Sequence, residues 1–119
     1  MTPILYVGLD SAAQLSYRGR LHIPIIQTVG SVTGLSPNQI TGPRRLQNIT
    51  DARFIAIHFI RKYTNMSLKH IGRSIGNRNH ATIIHAINVF EELYMTDKIF
   101  REKADKVESQ LIARGTIKN

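Results

Sequence analysis

Between residues 78 and 85 lie six side chains of the kinds that address base edges or phosphates: Arg78, Asn79, His80, Ala81, Thr82 and His85. An arginine suits a bidentate contact to guanine or a grip on a phosphate, and an asparagine amide has the geometry for adenine. Asn79 serves equally well as a helix N-cap. The methyl of Ala81 and the Thr82 side chain can pack on a thymine methyl, while His85, one turn further on, reaches a base or a phosphate. His80 has two readings, base contact or structural residue, because its spacing to Ile83, Ile84 and Ile87 lets it lean toward a core. A second set, Arg44, Arg45, Arg53, Lys69 and Arg73, is read as contacting the sugar–phosphate backbone or a minor groove.

Two helices joined by a tight turn would position the first set. Ser67 is a natural N-cap, and Leu68, Ile71 and Ile75 follow as one buried stripe. Gly72 inside that helix allows another helix to approach closely. Gly76-Asn77 breaks the period with residues that tolerate positive φ. Ile83, Ile87, Phe90 and Tyr94 then rebuild a stripe that leaves Arg78, Ala81, Thr82 and His85 on the far side. The pattern predicts a helix-turn-helix over about residues 67–95.

Charge supports the same assignment. The chain of 119 residues carries +8, and residues 44–80 hold eight basic side chains against Asp51 alone. From residue 91 onward, six basic and six acidic side chains cancel. A basic field that coincides with a groove-reading motif is the footprint of a nucleic-acid binder.

The rest of the chain reads as helices around one core, since 119 residues are too few for two ordinary domains. Residues 21–34 form an amphipathic helix with Pro24 in its first turn, and Ser36-Pro37-Asn38 starts a short turn or helical piece. Thr41-Gly42-Pro43-Arg44-Arg45 is a basic loop, fit to lie along phosphates, to enter a minor groove or simply to face solvent. Thr50 or Asp51 is the expected cap of a core helix ending near Tyr63, with Arg53, Arg61 and Lys62 on its surface. Arg53 near the start of that helix opposes the dipole, which a bound phosphate, a base or Asp51 would explain. Thr96-Asp97 opens the last helix, and Phe100, Ala104, Val107 and Leu111 form its inner stripe. The expectation is an all-α bundle of five or six helices: an arm over 1–20 of undetermined structure, the domain over 21–115 and a tail over 116–119.

Catalysis finds no constellation. The histidines His22, His58, His70, His80 and His85 show no zinc-binding spacing, cysteine is absent, and no nucleophile elbow or phosphate-binding loop occurs. Neither an enzyme, a metal nor a cofactor is expected, and His58 is read as a buried or half-buried core histidine. No apolar run approaches the roughly 18–20 residues that span a bilayer, and the start lacks the pattern of a signal peptide. A cytoplasmic, nucleoid-associated protein is the expectation.

The run from Ile71 to Ala86 resembles the C-terminal DNA-binding domain of DnaA, the bacterial chromosomal replication initiator. That domain shows an Ile-Gly start, a Gly-Gly-Arg-Asp-His-Thr-Thr turn and a hydrophobic pair before His-Ala. Thr64-Asn65-Met66-Ser67-Leu68, Ala52-Arg53-x-Ile55-Ala56, the helix from Ile26 to Leu35 and the loop over 42–47 extend the likeness to roughly residues 21–112. The resemblance implies a Trp-repressor-like bundle that binds double-stranded DNA at short asymmetric boxes, with no nucleotide and no membrane as partner. It puts the second helix in the major groove and a loop arginine in the neighbouring minor groove. Arg53, Arg78, His80 and Thr82 match the family's DNA-contacting surface.

Four positions depart from the family: Asn79 replaces an aspartate, Ala81 a threonine, Gln47 stands where the minor-groove arginine is expected, and Asp51 where another basic residue is frequent. Asn79 moves the expected preference toward adenine. A lost minor-groove arginine costs about 1–3 kcal/mol unless Arg44 or Arg45 replaces it. The family's ATPase domain has no counterpart in these residues, so the expected role is a stand-alone, sequence-specific DNA binder in replication or transcription. The alternative is a protein–protein interaction module with weak DNA binding, engaging replication proteins or itself through residues 1–20.

Overall fold

The computed structural model describes residues 20–117, which form six helices with no strand among them: α1 His22–Thr33, α2 Pro37–Thr41, α3 Gln47–Tyr63, α4 Leu68–Ser74, α5 His80–Thr96 and α6 Lys98–Ala113. The arm read over 1–20 lies outside the described residues except for Arg20. Ile25, Ile26 and Val29 are the buried stripe of α1. Its end is set by Gly34, at φ 76°, with the Gly34 and Leu35 N–H groups both donating to the Gly30 carbonyl. In α2 a capping box closes the first turn: the Gln39 N–H donates to Ser36 Oγ at 3.1 Å, and the Ser36 N–H to Gln39 Oε1 at 2.8 Å.

The long helix α3 starts at Gln47, three residues before Thr50 and four before Asp51, the two expected caps. Leu46 is its N-cap residue and offers no side-chain bond, while Asp51, inside the helix, accepts from Gln47 Nε2 at 2.7 Å. Tertiary packing explains the early start. Ile49 is fully buried and begins the stripe that Ala52, Ala56 and Ile60 continue, so burial holds this turn helical without a cap. Helix α3 packs against α1, α2, α4, α5 and α6 and is the centre of the core.

Around α3 the other elements close as the spacing predicts. Ser67 caps α4 by accepting from the His70 N–H, and Asp97 caps α6 by accepting from Phe100 at 3.0 Å. Phe100, Ala104, Val107 and Leu111 are all buried on the inner face of α6. Half-buried His58 of α3 stacks on Phe90 of α5 at 3.7 Å between ring centroids, and Phe90 meets Phe100 edge-on at 5.4 Å. Lys62 and the Tyr63 hydroxyl both bind Glu108, tying α3 to α6. The body extends beyond the expected boundary at 115: the Thr116 N–H returns to the Leu111 carbonyl, and Ile117 is buried.

Candidate nucleic-acid interface

The turn between α4 and α5 is held by close backbone contacts. The Arg78 N–H donates to the Gly72 carbonyl at 2.8 Å, and a Cβ on Gly72 would lie 2.1 Å from the Arg78 carbonyl oxygen. Gly72 is therefore required by the approach of the turn's own backbone, more than by a neighbouring helix. Gly76 at φ 90° and Asn77 at φ 63° reverse the chain. Asn79 is the N-cap of α5, its Oδ1 accepting from the Thr82 N–H at 2.9 Å.

With Ile83, Ala86 and Phe90 turned inward, α5 presents His80, Ala81, Thr82, Ile84 and His85 to solvent. His80 is exposed and does not lean into the core. The His85 ring meets Phe54 of α3 edge-on at 6.4 Å, which orients it beside α3.

Two arginines of the candidate set are placed differently from expectation. Arg53 is not a surface residue: it is buried, and it sits in the second turn of α3, because the helix begins at Gln47. Its Nε donates to the Ile40 carbonyl at 2.5 Å, and its Nη2 to those of Gly42 at 2.5 Å and Gln39 at 3.4 Å. These are end-of-helix carbonyls of α2 that no further turn satisfies. A cation there is favoured by the dipole of the element it caps, which accounts for the charge near the start of α3. Arg78 is half-buried, not free on the outer face of α5. Its Nη1 donates to the carbonyls of Thr41 at 3.2 Å and Ile75 at 2.5 Å, and its Nη2 to that of Gly42 at 2.6 Å.

Burial first, then the charges of Arg78 and Arg45, lower the Arg53 pKa; burial and then Arg45 lower that of Arg78. Three guanidinium groups thus share one neighbourhood without a carboxylate. Among the described residues the ion pair is Lys62–Glu108, further along α3.

Arg44 and Arg45 are exposed on the loop between α2 and α3, with Leu46 more than half exposed beside them. Gln47 lies in the first turn of α3, with its amide nitrogen engaged by Asp51. A groove of about 700 Å³ separates the loop from α5, lined by Pro43, Arg45, Thr50, Phe54, Thr82 and His85 among others. A second, of about 420 Å³, lies on the α4 side of the same turn and is lined by Lys69, Arg73, Asn77, Arg78, Asn79 and His80. The start of α5 therefore stands between two cationic grooves. Thr50 and Phe54, four apart on α3 and off its core stripe, line the larger groove although neither residue type points to DNA contact. No cluster of three or more metal-ligating side chains occurs among the described residues.

A family model described as the bacterial dnaA protein helix-turn-helix matches residues 24–89, more than half of the chain. The chain belongs to the DnaA helix-turn-helix family. Its domain is of the DNA-binding type. A chromosomal replication initiator protein DnaA of Wolbachia is 42% identical over 64 residues, 54% of this chain and 14% of that protein. Its counterpart from Streptococcus uberis is 35% identical over 92 residues, 75% of this chain and 20% of that protein. A crystal structure of a DNA replication initiation factor superposes with a TM-score of 0.72 at 25% identity, covering 90% of this chain and 32% of the other. The chain thus spans a fifth or less of the length of these curated DnaA relatives. Among the described residues no helix is long and apolar enough to cross a membrane.

Proposed function

We propose that this domain binds double-stranded DNA sequence-specifically, with the N-terminal half of α5 in the major groove and the loop at Arg44-Arg45 on the adjacent minor groove. The carrying observation is the pair of cationic grooves on either side of the first turn of α5. A helix lying in the major groove of B-form DNA has a phosphate backbone on each flank. One strand fits the groove of Arg45, Thr50 and His85, the other that of Lys69 and Arg73. Beyond the first strand the minor groove begins, and Arg44, Arg45 and exposed Leu46 face it.

Base reading then falls to His80, Ala81, Thr82, His85 and the outer part of Asn79. Because Asn79 Oδ1 already accepts from Thr82 N–H, its Nδ2 donors are the group left for the duplex. That favours acceptors such as guanine O6 and N7 or thymine O4 over the two-point adenine contact that residue type alone suggests. Gln47, bonded to Asp51, is a flanking contact at most, and Arg44 or Arg45 takes the minor-groove role.

In the cell such a domain acts in replication or as a transcription regulator, associated with the nucleoid. Selection of bound sequences from a random duplex pool tests the reading. One enriched motif is expected, with Thr82→Ala relaxing the base preference at a single position by about 1–3 kcal/mol. Salt-sensitive binding with no motif would favour an interaction module that keeps the fold without reading sequence.

A further inference from the structure

The carbonyls of residues 39–42 end a helix of five residues, and two guanidinium groups from distant parts of the chain satisfy them. Arg53 comes from α3; Arg78 comes from the turn before α5, which also holds the Ile75 carbonyl. Both meet on one atom, the Gly42 carbonyl oxygen, at 2.5 and 2.6 Å. Backbone meets backbone at the same place: a Cβ on Gly76 would lie 2.0 Å from the Thr41 carbonyl oxygen and 2.2 Å from Arg78 Nη1. The residue after Gly42 is Pro43, whose ring restricts φ, and Arg44 and Arg45 follow at once. The direction in which the loop leaves the body is therefore set where the helix-turn-helix turn touches it.

We propose that Arg53 and Arg78 are positioning residues, a two-guanidinium clamp on Gly42 that sets the offset between the basic loop and α5 and so makes the two grooves of the duplex one recognition unit. The proposal rests on the DNA-binding reading above. An arginine fork spans several carbonyls at fixed angles, whereas a lysine offers a compact charge on a flexible stem. Arg53→Lys and Arg78→Lys therefore keep the field while releasing the loop.

The test is a double-mutant cycle on the duplex selected by the unaltered protein, with Arg45→Ala as the loop probe and circular dichroism melting to confirm folding. Alone, Arg45→Ala is expected to weaken binding about tenfold. Within Arg53→Lys or Arg78→Lys the same change is expected to cost less than about twofold, since a released loop no longer delivers its arginine. The salt slope of the lysine variants drops only by the contribution of Arg45. Full multiplicative losses in both backgrounds would overturn the clamp and make each arginine an independent contact.

A second measurement uses the protein unaltered. The Arg53 Nε–H, buried on the Ile40 carbonyl, is expected to exchange slowly with solvent by NMR and to remain unshifted when the duplex is added. Fast exchange in the free protein, or a direct contact from either guanidinium to the DNA replacing its bond to Gly42, overturns the clamp even if a lysine variant fails to fold. Absence of any selected duplex removes the DNA-binding reading and this role with it; a selected duplex with additive losses removes this role alone.

Discussion

At His58 a titratable ring is used as an aromatic one. It lies nearly parallel to Phe90, at 9°, with Phe59 edge-on at 4.9 Å. Burial first, and then the charge of Lys62, pull its pKa down to about 4 against the opposing pull of Glu108. The unfolded chain, with His58 near the ordinary 6.5, takes up its proton before the folded one does. The contribution of His58 to stability is therefore full above about pH 6.5 and is lost as the pH drops through the window down to about 4. Subtracting the pH–stability profile of His58→Gln from that of the unaltered protein is expected to leave a slope confined to this window. A flat difference would mean that the ring is solvated. The same scale explains why Asn79 is ambiguous by type alone: capping and base contact need the same amide, and only the position of the Thr82 N–H shows which end is engaged.

The α4–turn–α5 unit is stabilised differently at its two ends. At Gly72 the limit is space, since any Cβ meets the Arg78 carbonyl oxygen. Gly72→Ala is expected to destabilise the domain by about 1–3 kcal/mol, the usual scale of overpacking. At Asn79 the contribution is one cap bond. Asn79→Ala is expected to cost about 0.5–2 kcal/mol, whereas Asn79→Asp keeps the acceptor and stays near the unaltered stability. Thermal or urea unfolding checks both, and an Asn79→Asp protein as weak as Asn79→Ala would remove the capping account. The early start of α3 belongs to this scale as well. Thr50 and Asp51 look like caps because caps are recognised by type, but buried Ile49 keeps the preceding turn helical and places Thr50 in the groove wall.

Over the whole molecule the charges separate by task. Acidic side chains are interleaved with basic ones on α6, while the loop, α4 and the turn before α5 carry cations without carboxylate partners among the described residues. Each phosphate neutralised contributes about 0.9 to the slope of log affinity against log salt. Arg44→Ala, Arg45→Ala, Lys69→Ala and Arg73→Ala are each expected to reduce that slope by about one such step while leaving the selected motif unchanged. Titrations at several salt concentrations check this, and a changed motif would reassign that residue to base reading.

The amino-acid sequence by itself determined the all-α class, the helix-turn-helix, the family and the positive field, because each rests on local signals. Apolar stripes at helical period, caps at Ser67 and Asp97, the break at Gly76-Asn77 and the charge count need no partner from elsewhere in the chain. What Arg53 and Arg78 touch was decided by tertiary structure alone. Their acceptors lie 11–14 and up to 37 residues away, and an arginine buried on carbonyls has the same sequence signature as one reaching for a phosphate. Burial of Ile49 and Ile117, the edge contact of Phe54 with His85 and the two grooves beside α5 are likewise products of packing among distant segments.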